Sequence, residues 1–175
     1  MATSFNDLLI GAGLRPGDVA VLRHHTPEAG VSARNLFELW RNDPQGFRLY
    51  QDTQKANRPI FRNRKVWAAF ASPSPGETVF IGLFDAALKA TRKADWLCPY
   101  RGDAPGDGEP IDLFTTQLRP ELSEQIGRLQ VAWPSENVRS WKRKAEGLQL
   151  PLVASSLVRT PSGPLAGDAL VAALE

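Results

Sequence analysis

The sequence predicts an α+β fold in which N-terminal helices pack on a curved, mostly antiparallel sheet or half-open β-barrel. Helical spacing with caps and breakers marks the first part of the chain, whereas apolar runs separated by turns dominate residues 65–158. No internal repeat and no regular alternation of strands with helices interrupts this order. We therefore expect a single binding domain over residues 1–160, and a tail, linker or terminal helix over residues 161–175.

The N-terminal elements are predicted from their caps. A first helix is expected over residues 4–14, because its leading serine can cap it and the aspartate three residues later completes a weak capping box. Residues 19–25 predict a short strand, since they are rich in β-branched and apolar side chains. A second helix, capped by Ser32, is expected over residues 33–42, and the Asp-Pro pair that follows it begins a third helix.

Strands are predicted in the rest of the chain. Residues 65–72 and 78–88 are joined by the short turn "PSPGE", which favours a hairpin. Further strands are expected at residues 111–118, 127–133 and 150–158. A helical turn at "PELSEQI" and a short helix in "ENVRSWKRKAEG" lie between them. This run of strands after a run of helices is what favours a bent antiparallel sheet made from residues 65–158 over a series of parallel units.

The composition is that of a soluble globular domain, with 42% hydrophobic and 23% charged residues. No apolar run approaches the length of a membrane span, and the first 13 residues lack the basic start of a signal peptide, so no membrane partner is expected. Cys98 is the only cysteine, which excludes an internal disulfide and makes a reducing cytoplasm the expected location. The net charge of +2 is too small to indicate nucleic acid, so the distribution of charge has to decide.

The sequence contains few of the motifs that indicate catalysis. The chain has no glycine-rich phosphate loop and no nucleophile-elbow spacing, and Cys98 has no second cysteine with which to hold zinc. His24 and His25 are adjacent, which is poor geometry for a metal. "DGE" at residues 107–109, with Asp112, is better explained as a solvated loop than as a metal site. We therefore expect no catalytic residue, metal ligand or cofactor here; a hydrolase using His24 or His25 is the weakest alternative.

Two basic segments, each with a tryptophan, predict a surface for DNA. One leads into Trp67 and the other surrounds Trp141. Lysine and arginine hold phosphates, and exposed aromatic rings stack on bases. The expected DNA contacts are Arg23, His24, Arg62, Arg64, Lys65, Arg139, Ser140, Lys142, Arg143 and Lys144. The alternative is that each basic run is an ordinary solvated face.

Aromatic side chains divide into core and pocket candidates. Four residues belong by default to the core of the sheet: Trp67, Phe70, Phe80 and Phe84. Trp141 is more readily a core anchor than a stacking platform. Trp96 and Tyr100 lie near a loop and are expected to line an opening. The residues predicted to form a pocket or to stack on a base are Tyr50, Gln51, Trp67, Trp96 and Tyr100.

Three segments carry a resemblance to a known family: "FELWRNDPQGFRLYQDTQ", "VWAAFASPSPGETVFIGLFDA" and "GRLQVAWPSENVRSWKRKA". Together they resemble the region that precedes the GIY-YIG nuclease domain in certain bacterial endonucleases, in outline from Ser4 to Val153. The GIY and YIG strings themselves are absent. The resemblance thus implies a companion domain that recognises DNA, modified or not, in a bacterial restriction and defence system, with the nuclease domain outside this chain.

Two questions stay open at the level of sequence. The first is whether the protein ends at Glu175 or is a domain of a longer protein, which the resemblance favours. The second is whether the chain is instead a protein-interaction or small-ligand-binding domain, with Trp96 and Tyr100 bordering an apolar cleft. Positive charge gathered beside the mouth of the sheet would favour DNA, and scattered charge would favour the alternative.

Overall fold

The computed structural model describes residues 2–24, 35–56, 58–74, 77–92, 110–133, 150–153 and 159–161. In this part of the chain, helices and a curled mixed sheet form a half-barrel that turns through 222°, which confirms the predicted α+β class. The helices are α1 (Phe5–Gly11), α2 (Leu36–Asn42), α3 (Pro44–Asp52) and α4 (Pro59–Asn63). The strands are β1 (Val19–His24), β2 (Thr53–Lys55), β3 (Val66–Ala71), β4 (Val79–Arg92), β5 (Ile111–Leu118), β6 (Gln130–Val131) and β7 (Leu152–Val153).

The strands follow the order β1-β3-β4-β5-β2, and β6 and β7 extend the sheet from the beginning of β4. β1 runs parallel to β3, and the other described pairs are antiparallel. The predicted hairpin is confirmed, because β3 and β4 pair directly. The expectation that the sheet comes from residues 65–158 is wrong in one respect: β1 and β2 supply its two outer strands from the N-terminal part of the chain.

Helix α1 begins with the predicted capping box. The backbone N–H of Asp7 donates to the Ser4 hydroxyl at 3.3 Å, and the Asp7 carboxylate accepts from the backbone N–H of Ser4 at 2.9 Å. The backbone N–H of Thr3, together with the Ser4 and Thr3 hydroxyls, lowers the pKa of Asp7 to about 2. The helix ends at Gly11, three residues before the predicted end at residue 14.

Helices α2 and α3 meet at Asp43. Its side chain accepts from the backbone N–H of Gly46 at 2.9 Å and Pro44 occupies the first turn, as predicted for the third helix. Helix α2 starts later than expected, because Asn35 caps it by accepting from the N–H groups of Phe37 and Glu38. The predicted cap Ser32 lies outside the described residues.

The sheet is covered on both faces. Val19 and Val21 of β1 pack with Phe5 and Leu9 of α1, while the alternate residues of β1 pack with Phe61 of α4. Helices α2 and α3 cover the neighbouring part of that second face. This alternation follows from the two-residue period of a strand, and it leaves β1 buried on both sides.

Helix α3 attaches to β5 through charged side chains in the interior. Arg48 donates through Nε to the Thr116 hydroxyl at 3.1 Å and through Nη2 to the Thr116 carbonyl, and its guanidinium lies 4.8 Å from the centre of the Phe84 ring. The Thr116 hydroxyl donates to Asp52 Oδ1 at 2.5 Å. Because Arg48 and Asp52 are almost fully buried, these contacts compensate part of the cost of removing their charges from water.

Strand β4 is the longest element and has two different halves. Its first half pairs with β3, and the register shifts between Ala69 and Phe70 because β4 has one extra residue there, Ile81, beside Gly82, whose φ is +142°. Its second half, residues 86–92, extends past the start of β3 and pairs with β5. In the described part of the chain, no strand pairs with the other edge of this second half.

Candidate functional site

Basic side chains gather at the end of the sheet where β4 stops. The register places Arg92, Ile111 and Lys55 in one row across β4, β5 and β2. Directly opposed residues share a face of a sheet, so Lys55 and Arg92 flank Ile111 with their Cα atoms about 10 Å apart, twice the spacing of neighbouring strands. We define the basic rim by the cations at this end of the sheet, Lys55, Arg58, Arg62, Lys89 and Arg92. Lys55 and Arg92 lie on the face of Ile111, whereas Arg62 reaches Asp112 on the opposite face.

The local sequence explains why α4 and the residue that caps it each contribute a cation to the rim. Residues 53–76 contain five basic residues and no acidic residue. Phe61 is buried, with its ring centroid 5.0 Å from that of Trp67, so it anchors α4 on the sheet. Arg62 directly follows Phe61 in α4, and Arg58 caps the helix immediately before Pro59. Burial of Phe61 therefore fixes the position of the short helix that carries Arg62 and begins after Arg58.

Arg62 is paired with a buried carboxylate. Its Nε donates to Asp112 Oδ2 at 2.5 Å and its Nη2 donates to Asp112 Oδ1 at 2.7 Å. The hydroxyl of Thr91 donates to the same Oδ1 at 2.8 Å. These contacts with Asp112 raise the pKa of Arg62. Asp112 lies in β5 with a side chain only 1% exposed, so the expectation that it belongs to a solvated loop is wrong.

Lys65 borders a groove on the second half of β4. The groove has a volume of about 350 Å³ and is lined by Lys65, Asp85, Ala86, Ala87, Thr115 and Gln117. The Asp85 carboxylate accepts a hydrogen bond of 2.6 Å from Arg119 Nη1. The hydrogen bonds that Arg119 donates to Glu121 and to Asp85 raise the pKa of Arg119. The two alanines keep the floor shallow, while Thr115 and Gln117 add groups that both donate and accept hydrogen bonds.

Comparisons with protein-family models, curated proteins and solved structures found no match to this chain. None of the helices that the structure describes is both long and apolar enough to cross a membrane. The described residues also contain no group of three or more His, Cys, Asp or Glu side chains that could hold a metal ion. The rim and the groove therefore have to be judged from their own geometry.

Some of the residues predicted to contact DNA are exposed to solvent, and others are partly or fully buried. Arg62 and Lys65 are exposed, and Arg64 is half-buried with its Nε donating to the carbonyl of Gly17 at 3.0 Å. Arg23 is also half-buried, since its Nε donates to the Ser72 hydroxyl at 3.0 Å. Of these four, Arg62 and Lys65 are therefore the best placed to meet a ligand.

His24 and Gln51 correct the prediction. His24 is only 4% exposed, with its ring centroid 4.7 Å from that of Phe47, so it does not face a phosphate. Gln51 is fully buried, and its Oε1 lies 3.2 Å from His24 Nε2. Tyr50, half-buried, packs its ring edge-on against the same histidine. Neither His24 nor Gln51 is accessible to a base or a phosphate.

Trp67 is also corrected as a stacking residue. It is fully buried between Phe61 and Phe114, and its Nε1 donates to the carbonyl of Arg64 at 3.1 Å. The default prediction that Trp67 belongs to the core is confirmed, as it is for Phe70, Phe80 and Phe84. The remaining candidates lie outside the described residues, namely His25, Trp96, Tyr100, Arg139, Ser140, Trp141, Lys142, Arg143 and Lys144, as do residues 162–175 of the predicted tail.

The sequence-based prediction missed four residues of the rim. Lys55 and Arg58 belong to the run without acidic residues and were detectable from that run. Lys89 and Arg92 had no local signal, because only the register with β5 brings the end of β4 beside β2. Within the described residues, no acidic side chain pairs with Lys65, Lys89 or Arg92.

Proposed function

We propose that this chain is the DNA-binding specificity domain of a bacterial restriction endonuclease, acting in the cytoplasm and without cleaving DNA itself. The observation that carries the proposal is the basic rim, where cations from β2, from β4 and from α4 with the residue that caps it lie at one end of the half-barrel. The resemblance of three segments to the region ahead of GIY-YIG nuclease domains supports the same function and implies a nuclease domain as partner.

The physical basis is phosphate binding by a local surface. Lysine and arginine that contact phosphates release counterions, which supplies most of the sequence-independent affinity for DNA. A protein with a net charge of +2 can bind in this way when its cations are concentrated in one place. The rim meets this condition, and helices and strands rather than long loops carry its residues.

The groove beside Lys65 supports a role in recognising bases. Thr115 and Gln117 offer hydroxyl and amide groups, which are the side-chain types that read the edges of bases, and Asp85 supplies an acceptor. Whether the chain reads a modification or a plain sequence is tested by titrating matched duplexes that are unmodified, methylated, hydroxymethylated or phosphorothioate-linked.

The alternative of a small-ligand or protein-interaction domain has less support. A second groove, of about 480 Å³, lies between α2 and the turn that precedes β4. Its charges are already paired, since Arg41 lies 3.5 Å from Glu38 and Arg159 lies 2.5 Å from Glu77. This groove therefore has no excess charge with which to select a ligand.

The DNA-binding proposal predicts that Arg92→Ala weakens binding to every duplex and lowers the salt dependence by about one unit of slope. Anisotropy titrations at about 50 mM and about 200 mM salt measure both quantities. Arg128→Ala is the matched control, because Arg128 is equally exposed but lies next to β6, at the opposite end of β4. Absence of binding to all duplexes at low salt, modified ones included, would end the proposal.

A further inference from the structure

Arg62 presents an oriented pair of donors to solvent. Asp112 occupies Nε and one N–H of Nη2, which is the side of the guanidinium group. The end of the group, formed by Nη1 and the second N–H of Nη2, donates to none of the described residues. The side chain is 40% exposed, so this end can be reached by a ligand.

The orientation of Arg62 is set by rigid elements. Asp112 lies on β5, between β4 and β2, and its register neighbours are Thr91 and Gln54. Both of its carboxylate oxygens accept from Arg62, and Oδ1 also accepts from Thr91. A carboxylate buried in the middle of three strands cannot follow a moving arginine. The guanidinium is therefore held in place before any ligand arrives, which lowers the entropic cost of using it.

Two kinds of acceptor match such a fork: the O6 and N7 atoms of guanine, and two oxygens of one phosphate. The two differ in what they require. A phosphate is attracted mainly by net charge, and the Arg62–Asp112 pair has none. A guanine edge is neutral, so its binding depends on the geometry of the two donors. The absence of net charge on the Arg62–Asp112 pair therefore weakens this binding little. The neighbouring cations Lys89 and Arg92, which pair with no acidic side chain among the described residues, retain their charge for phosphates.

We propose that Arg62 is a specificity-determining residue that reads a guanine through its N7 and O6 atoms, and that Asp112 is the positioning residue that aims it. This inference rests on the DNA-binding function proposed above. It adds to that function a chemical identity for one base of the recognised site.

The test begins with duplexes that the wild-type protein selects from a randomised pool. Each guanine of a selected duplex is replaced in turn by 7-deazaguanine, which pairs normally but lacks the N7 acceptor. We expect one replacement to weaken wild-type binding about tenfold or more. Arg62→Lys keeps the charge beside Asp112 but lacks the fork, so it should bind both duplexes equally while remaining folded.

Each other outcome is decisive. If no replacement affects wild-type binding, or if Arg62→Lys shows the same sensitivity, the reading of guanine is overturned while DNA binding stands. If Arg62→Ala weakens all duplexes alike and lowers the salt slope by about one unit, Arg62 holds a phosphate and the inference is overturned. If the wild type binds no duplex at all, this inference and the proposed function fail together.

The positioning role has its own readout, which is the ratio of affinities for the guanine and 7-deazaguanine duplexes. Asp112→Asn should reduce this ratio, and Thr91→Val should reduce it less. Thr91→Val serves alone if the buried Asp112→Asn protein does not fold. Lys89→Ala is the control, because it should weaken both duplexes alike and keep the ratio. An unchanged ratio in the folded variants would overturn the role of Asp112.

Discussion

Lys65 and Trp67 are two residues apart, yet they have opposite environments. Lys65 is exposed beside the groove on β4, and Trp67 is fully buried between two phenylalanines. Removing a buried aromatic side chain costs roughly 3–5 kcal/mol, whereas a surface change usually stays within about half a kcal/mol. Trp67→Ala should therefore lower the urea midpoint strongly, while Lys65→Ala should leave it nearly unchanged and weaken DNA binding.

The same pair of variants tests whether burial is the whole role of Trp67. Far-UV and near-UV spectra of Trp67→Ala should show loss of native packing together with the loss of stability. A Trp67→Ala protein with wild-type stability and no affinity for DNA would mean that the ring stacks on a base and is not a core residue.

At the scale of an element, the capping box of α1 makes stability depend on pH. The pKa of Asp7 falls from 3.8 to about 2 in the folded protein, because the backbone of Thr3 and the hydroxyls nearby bond to its charged form. A carboxylate with a lowered pKa stabilises the fold above its unfolded pKa and loses that effect as the pH drops toward the folded value. Asp7→Asn should thus be less stable than the wild type at pH about 5, and the difference should shrink by pH about 2.

Denaturant unfolding at these two pH values measures the effect of the cap. Glu124→Gln is the control, since Glu124 is an exposed carboxylate for which the structure shows no bond among the described residues. A difference between Asp7→Asn and wild type that stays constant over this range would show that the charge of Asp7 has no part in the cap.

The elements also show what sequence patterns can and cannot predict. Caps are local, so the starts of α1 and α3 were predictable from one serine and one aspartate. β2 and α4 were not, because β2 has only three residues, all polar, and α4 has only five, beginning with a proline, which is too few to show a period. Arg48 and Asp52 look like solvent-facing charges, and only their distant partner Thr116 explains why they are buried.

The same limit divides the candidate site. Arg62, Arg64 and Lys65 stand together in the sequence, so their basic character was visible without a structure. The partnership of Arg62 with Asp112 spans 50 residues, and no local pattern could indicate it. Burial of His24 likewise depends on packing against Phe47 of a later helix. The role of a residue can therefore be predicted from sequence where it depends on adjacent charges. It cannot be predicted where it depends on a partner far away in the sequence.

At the scale of the whole molecule, distant parts of the chain are joined at a few backbone contacts. Gly127, with φ of +74°, accepts from the backbone N–H of Arg159 at 3.0 Å, and a Cβ added to it would lie 1.3 Å from the Arg159 carbonyl oxygen. Gly127→Ala should destabilise the protein by more than the roughly 1–2 kcal/mol that a left-handed residue costs alone, because Arg159 must also move.

Two other glycines provide matched controls for this prediction, all measured by denaturant unfolding. Gly13 has φ of +78° and open space around it, so Gly13→Ala isolates the cost of the backbone conformation. Gly11 ends α1 in open space without a positive φ, so its replacement by alanine should be close to neutral. Equal losses for Gly127→Ala and Gly13→Ala would show that the contact with Arg159 carries no stability.

The second half of β4 has a further consequence, which concerns solubility. A strand whose edge lacks a neighbour can pair with the same strand of another copy and begin aggregation. Here that edge carries Lys89 at a register shift and Arg92 at its end, so two copies brought edge to edge would bring like charges together and meet an irregular hydrogen-bond pattern. The cations that we propose to hold DNA would therefore also oppose edge-to-edge pairing of two copies, and neutralising them would leave only the register shift to oppose it.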